Sequence, residues 1–65
     1  MQYQQPRQFF VHRAEDPTRT QAIAERTFEA AAVAYLEHEH VEGEAVDLVV
    51  IAEDGARQAF TVPLH

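Results

Sequence analysis

The absence of cysteine constrains this chain most, because the chain has only 65 residues. A chain of this length hides only about 60% of the surface that its unfolded form exposes. No disulfide framework and no thiolate zinc site can supply the missing stability. The sequence therefore predicts one small domain with a thin core, for which a partner subunit would be an additional source of stability.

The net charge of −6 removes the commonest route to nucleic acids and anionic membranes, which is attraction to phosphate. The longest apolar stretch, Ala30 to Leu36, is far shorter than the ~20 residues of a membrane-spanning helix. The N-terminus lacks the basic-then-apolar pattern of a signal peptide. We therefore expect a cytoplasmic protein that binds neither nucleic acid nor membrane.

The residue types that are missing limit the chemistry. Lysine, serine and cysteine do not occur, and arginine is the basic residue used throughout, as is typical of a GC-rich bacterial genome. Serine and cysteine nucleophiles and Schiff-base lysines are thereby excluded. The chain also lacks a phosphate-binding glycine loop. We expect a protein that is not an enzyme and that needs no cofactor.

The N-terminal region is predicted to hold an arm and a first strand. Residues 1–7 are polar and rich in glutamine, which is typical of a flexible arm, and residues 8–65 are then a single small α+β domain. Aromatic and β-branched residues favour a strand over residues 8–13. Alternation along that strand assigns one face to Phe9 and Val11 and the other face to Phe10 and His12.

A helix is predicted from Asp16 to about His38. Aspartate can accept from the free amides of a first turn, and Pro17 suits the position that needs no donor. Thr18 and Gln21 form a capping box that is an alternative start. The residues that follow are good helix formers without glycine or proline.

Helical spacing defines an apolar stripe on this helix, with Phe28 as its main anchor. Val33 and Leu36 fall on the charged side, either as ordinary exposed residues or as the edge of a contact surface. The stripe consists of Ile23, Ala24, Thr27, Phe28, Ala31, Ala32 and Tyr35.

Two β-rich runs, 45–52 and 57–64, flank Glu53-Asp54-Gly55, which is a strong hairpin signal. A two-residue turn would pair Val50 with Ala59 and mix the faces. A three-residue loop with Gly55 left-handed instead collects the apolar residues on one face, and we prefer it. It pairs Val46 with Val62, Leu48 with Phe60 and Val50 with Gln58.

Together these elements predict an α+β fold with two layers, β-α-β-β: a three-stranded sheet with one helix packed on one face. A right-handed crossover would make the first two strands parallel. The strand order stays open, because apolar residues on both faces favour the strand 45–52 in the centre, whereas the commoner antiparallel pairing favours the strand 57–64.

A single helix covers only one side of the sheet, yet Phe10, Val49, Ile51 and Ala59 belong to the other side. Exposed apolar area of this kind usually marks a contact, although the N-terminal arm or a few long side chains would also cover it. We therefore expect these four residues to bind a partner. The leading hypothesis is a non-enzymatic interaction module that forms a homodimer or docks on another protein.

The segment His38-Glu39-His40 is the one ligand-rich cluster, and imidazole with carboxylate suits zinc or nickel. Residues two apart on a helix point about 200° apart, so both histidines reach one metal only if the helix has unwound by His40. A solvated helix end explains the same residues. We predict no metal site and keep metal binding by His38 and His40 as the alternative function.

His12 and Arg13, near Glu15 and Asp16, contain the residue types of general acid–base chemistry. Such groups occur by chance on most surfaces, and a catalytic or ligand-binding role would require a concave site around them. We predict no catalytic residue.

The stretch Phe9 to Pro17, followed by Thr27 to Ala32, resembles short bacterial proteins that form a family of unknown function. The similarity covers most of the chain. It implies no activity, cofactor or site for these residues.

Overall fold

A computed structural model describes residues 5–64 as four strands and one helix. The elements are β1 (Arg7–Arg13), β2 (Asp16–Glu25), α1 (Phe28–His38), β3 (Ala45–Ala52) and β4 (Arg57–Pro63). The strands form one antiparallel sheet in the order β2-β1-β3-β4. α1 packs on one face of that sheet against β1, β2 and β3. The predicted α+β class is confirmed, but the sheet has four strands and not three.

The additional strand is β2, which occupies the predicted first half of the helix. Asp16 does not cap a helix; it pairs with Arg13 across a tight turn, and its carboxylate accepts from Thr18 Oγ1 at 2.6 Å. Thr18 and Thr20 are β-branched, and such residues pack well on a pleated sheet. Pairing with β1 outweighs the helix propensity of the alanines in this segment.

α1 begins after Thr27, whose Oγ1 accepts from the amide of Ala30 at 3.0 Å. This is the N-cap geometry that satisfies a free amide of the first turn. The helix ends at His38, as predicted, and the amide of Glu39 donates to the carbonyl of Tyr35 at 2.9 Å. Among the described residues, no helix has the length and apolar character needed to span a membrane.

The predicted stripe of α1 is correct in part. Ile23 and Ala24 lie in β2, whereas Ala34, which the stripe omitted, is buried. Leu36 packs against the core, and Val33 is 56% exposed. The buried side of the helix is made of Ala31, Ala32, Ala34 and Tyr35. These small residues let α1 lie close to the sheet.

Strand direction also differs from the prediction. β1 and β3 were expected to run parallel, but they pair antiparallel, with Val11 opposite Val50. The cause is β2, which reverses the chain once more before the helix. β3 lies in the interior of the sheet, between β1 and β4.

The hairpin of β3 and β4 has the predicted register: Val46 pairs with Val62, Leu48 with Phe60 and Val50 with Gln58. Its loop has three residues and closes through the amide of Gly55, which donates to the carbonyl of Ala52 at 3.0 Å. Gly55 has a φ of 93°, a conformation that side chains with a Cβ rarely adopt.

The core lies between α1 and the sheet. Phe9, Val11, Leu48 and Val50 are fully buried there, so the predicted face of β1 is confirmed. The ring of Phe9 meets that of Phe28, with centroids 5.1 Å apart and planes at 59°. Of the predicted arm, residues 1–4 lie outside the described residues, and residue 7 is the first of β1.

Candidate interaction surface

The sheet face opposite α1, called the open face below, carries a contiguous apolar cluster. Phe10 pairs with Ile51 across β1 and β3, and Val49 pairs with Ala59 across β3 and β4. Residues directly opposite each other in antiparallel strands have Cβ atoms about 5 Å apart and point to the same side. The register therefore brings together the four residues that the sequence predicted to bind a partner.

The members of this cluster are accessible to different degrees. Phe10 is 36% exposed, Ala59 is exposed, and Val49 and Ile51 are half-buried. Phe10 and Val33 are the two exposed large apolar residues among those described, and Val33 lies on the helix. The accessible part of the open face is thus centred on Phe10 and its neighbours.

Sequence reasoning missed Ala22 as a further member of this surface. It is exposed and pairs with Phe10 from β2. The prediction placed this residue in a helix, where it could not share a face with β1. A signal was present in the alternation of Thr18, Thr20 and Ala22 with more polar residues, which is compatible with a strand.

Two charged residues flank the apolar cluster on the open face. Arg57 pairs with Ile51, and Asp47 pairs with Thr61. The hydroxyl of Thr61 donates to Oδ1 of Asp47 at 2.7 Å. Both Asp47 and Arg57 are exposed. At the hairpin end of the sheet, Oε1 of Glu53 accepts from the amide of Gln8 at 3.4 Å.

His12 lies on the same face of the sheet as Phe10 but is only 9% exposed. Its Nδ1 lies 2.7 Å from the carbonyl oxygen of Arg13, and since a carbonyl only accepts, Nδ1 carries the proton. The side chain of Arg13 belongs to the helix side, where Nη2 donates to the carbonyl of His40 at 3.4 Å. The strand separates these two side chains, so they form no acid–base pair.

A small polar cavity of about 40 Å³ lies on the helix side of the sheet. It is lined by Arg13, Asp16, Arg19, Tyr35 and Glu39. Two arginines and two carboxylates give it no net charge. Ligand sites usually enclose about 300–1,000 Å³, so this cavity suits water and not a metabolite.

A wider groove of about 490 Å³ runs between the edge strand β2 and α1. Ile23 and Ala34 contribute its apolar floor, and Glu25 and His38 lie along it. Nε2 of Gln21 donates to Oε2 of Glu39, which ties β2 to the end of the helix.

Of the two histidines of the predicted cluster, His38 is the last residue of α1 and His40 follows the helix. His40 Nε2 contacts Glu42 Oε2 at 3.1 Å, and both side chains are more than four-fifths exposed. Within residues 5–64, no group of three or more histidines and carboxylates is arranged to hold a metal ion. Metal binding by His38 and His40 stays a prediction without structural support in this part of the chain.

A protein-family model matches residues 7–65, which include all four strands and the helix. The chain belongs to DUF5961, a family of unknown function. This confirms the resemblance stated from the sequence. Comparison with curated proteins finds no match, and comparison with solved structures finds none either. Membership in DUF5961 thus assigns no activity, and a functional proposal depends on the surface described above.

Proposed function

We propose that this protein is a non-enzymatic interaction module that binds a protein, either a second copy or another chain, through the open face. A cytoplasmic location, with protein partners in place of nucleic acids or membranes, is part of the proposal. The observation that carries it is the contiguous cluster of Phe10, Val49, Ile51 and Ala59 on a sheet face that α1 leaves uncovered.

Burial of this cluster would be a substantial source of stability for so small a domain. Fully burying a large apolar side chain stabilises a protein by about 1.5–3 kcal/mol. In the isolated chain Phe10 is exposed and Ile51 is half-buried, so each contributes only part of that stabilisation until a partner covers it. A flat apolar patch bordered by polar residues is the usual form of a protein interface. The cavity beside Arg13 and Asp16 is too small for a substrate, and the wider groove between β2 and α1 is open to solvent and does not enclose one.

The proposal is tested first by Ile51→Glu, with Val33→Glu as the matched control. Both substitutions replace an accessible apolar residue by the same acid, but Val33 lies on the helix and not on the open face. We expect Ile51→Glu to change the solution mass or the binding of a partner, and Val33→Glu to change neither. Equal behaviour of the two variants in light scattering and binding would contradict the proposal.

A photo-crosslinking residue at position 59, compared with one at position 33, identifies what covers the open face in cells that produce the protein. We expect position 59 to form protein crosslinks that position 33 does not. Crosslinks of equal yield from both positions, or none from position 59, would show that the open face is not an interface.

A further inference from the structure

The strand-paired positions of the open face carry one carboxylate and one arginine, although the protein as a whole is strongly acidic. The chain carries 11 acidic residues against five arginines, which gives a net charge of −6. At strand-paired positions of the open face, Asp47 is the one carboxylate and Arg57 the one arginine, and His12 is only 9% exposed. Glu53 lies past the last pair at the hairpin end, where its carboxylate accepts from the amide of Gln8. Two copies of this chain therefore repel each other over much of their surfaces, but not where their open faces meet.

The two charges lie on opposite sides of the apolar row formed by Val49 and Ala59. On one side Ile51 pairs with Arg57, and on the other side Asp47 pairs with Thr61. Successive rows on one face are two residues apart, which is about 7 Å along the strands. The open face thus has a positive end and a negative end, separated by apolar side chains.

This arrangement distinguishes between the two ways in which identical faces can stack. A two-fold axis parallel to the strands would place the positive ends together and the negative ends together. A two-fold axis across the strands reverses one copy, so that each positive end meets a negative end. Like charges opposed at an interface are unfavourable, and complementary charges select the register.

We propose that a second copy of this chain covers the open face, related by a two-fold axis that crosses the strands near Val49 and Ala59. Arg57 of each copy then faces the partner's Asp47. This inference rests on the proposed function and names its partner. The contact is isologous, so it closes at two copies and does not propagate.

The apolar side chains of the open face are compatible with the face-to-face packing of two sheets. Sheets that stack face to face lie about 10 Å apart with nearly aligned strands, and their inward side chains interdigitate. Phe10 and Ile51 are large enough to bridge such a layer. Ala59, which is small and exposed, lies near the axis and lets the two sheets approach closely there.

A charge-swap series tests the arrangement. Asp47→Arg and Arg57→Asp each place like charges opposite one another twice in the dimer, and we expect each to weaken dimerisation at least about tenfold. The double variant, with both changes in one chain, restores complementary charges and should dimerise like the original. Sedimentation equilibrium from micromolar to millimolar concentration gives the dissociation constants.

Mixing the two single variants provides a second test of the same contact. One then carries two positive ends and the other two negative ends, so the mixed dimer has complementary charges at both contacts. Native mass spectrometry distinguishes it from either homodimer by mass. We expect the mixed dimer to dominate.

Two controls separate charge pairing from other effects. Glu37→Arg makes the same charge change as Asp47→Arg at an exposed position of the helix, and should leave dimerisation unchanged. Glu29→Arg makes a matching charge change at a second exposed position of the helix, and should do the same. Circular dichroism checks that each variant is folded.

The outcomes distinguish this inference from the proposed function. A dimer that ignores the charge swaps but dissociates with Ile51→Glu overturns the crossed arrangement and leaves the open face as an interface. A monomer at every concentration, with position 59 crosslinking to a different protein, overturns self-association alone. A dimer that ignores both the swaps and Ile51→Glu overturns both.

Discussion

The two faces of the sheet have similar residues and different environments. Phe9 is fully buried under α1, while its neighbour Phe10 is 36% exposed on the open face. Val50 is fully buried, while Val49 is half-buried. These neighbours have the same chemistry, so the difference comes from the helix that lies over one face. For these four residues, burial is decided by what covers the face, and a second covering element would make their environments alike.

Truncation of the two phenylalanines should show the largest difference between the faces. We expect Phe9→Ala to lower the free energy of unfolding by about 3–5 kcal/mol, because it opens a cavity in the core and removes the contact with Phe28. Phe10→Ala should cost the monomer under about 1 kcal/mol, since no core cavity forms. Urea denaturation below the concentration at which any dimer forms measures both.

If Phe9→Ala fails to fold, Phe9→Leu gives the comparison at a smaller loss, because it retains most of the buried volume. Equal losses for the truncations at positions 9 and 10 would contradict the distinction between the faces.

The neighbouring valines of β3 provide a finer comparison. Val50→Ala removes fully buried methyl groups and should cost about 2 kcal/mol, whereas Val49→Ala should cost under about 1 kcal/mol in the monomer. At concentrations where a dimer forms, Val49→Ala should weaken association more than Val50→Ala, because Val49 lies on the open face. Chemical denaturation of both variants measures the losses of stability, and sedimentation measures the effects on association. A Val50→Ala variant that weakens association more than Val49→Ala would contradict the prediction for association.

The loop that sets the hairpin register is tested by Gly55→Ala. The position has a φ of 93°, so a Cβ introduces strain of about 1–2 kcal/mol although no atom lies within 4 Å of it. Gly55→Asn, which tolerates a left-handed conformation better, should lose less. Thermal unfolding measures the losses, and equal stability of the glycine and alanine forms would show that the loop does not need this conformation.

The helix cap is expected to give the smallest effect. Thr27→Ala leaves the amide of Ala30 without its side-chain acceptor and should cost about 1 kcal/mol, while Thr27→Ser should retain most of the stability. Neither change should alter association, because the cap is remote from the open face. If Thr27→Ala changed the mass of the dimer, the prediction that the helix cap does not affect association through the open face would be wrong.

The C-terminal hairpin was predictable in detail because its signals are local. Gly55 marks the turn, and the alternation of Val46, Leu48 and Val50 allows one register that keeps the apolar residues together. The four residues of the open face followed from the same alternation, extended to β1. The sequence therefore predicted which four residues form that surface, but not how they are arranged on it.

β2 was not predictable by the same reasoning. Its alanines, glutamate and glutamine are good helix formers, and Asp16-Pro17 is a common start of a helix. The segment becomes a strand because the tight turn after Arg13 presents it to the free edge of β1, where backbone pairing is available. The membership of Ala22 in the open face follows from that pairing, and for this reason it was missed.

The sequence by itself determined the class of the fold, the end of the helix, the register of the hairpin and the alternation that separates the faces, because each depends on residues close together in the chain. The tertiary structure alone decided the number, order and direction of the strands and the membership of Ala22 in the open face. These depend on which distant segments pair, and local propensity is too weak to choose among pairings that differ by the packing of a whole sheet.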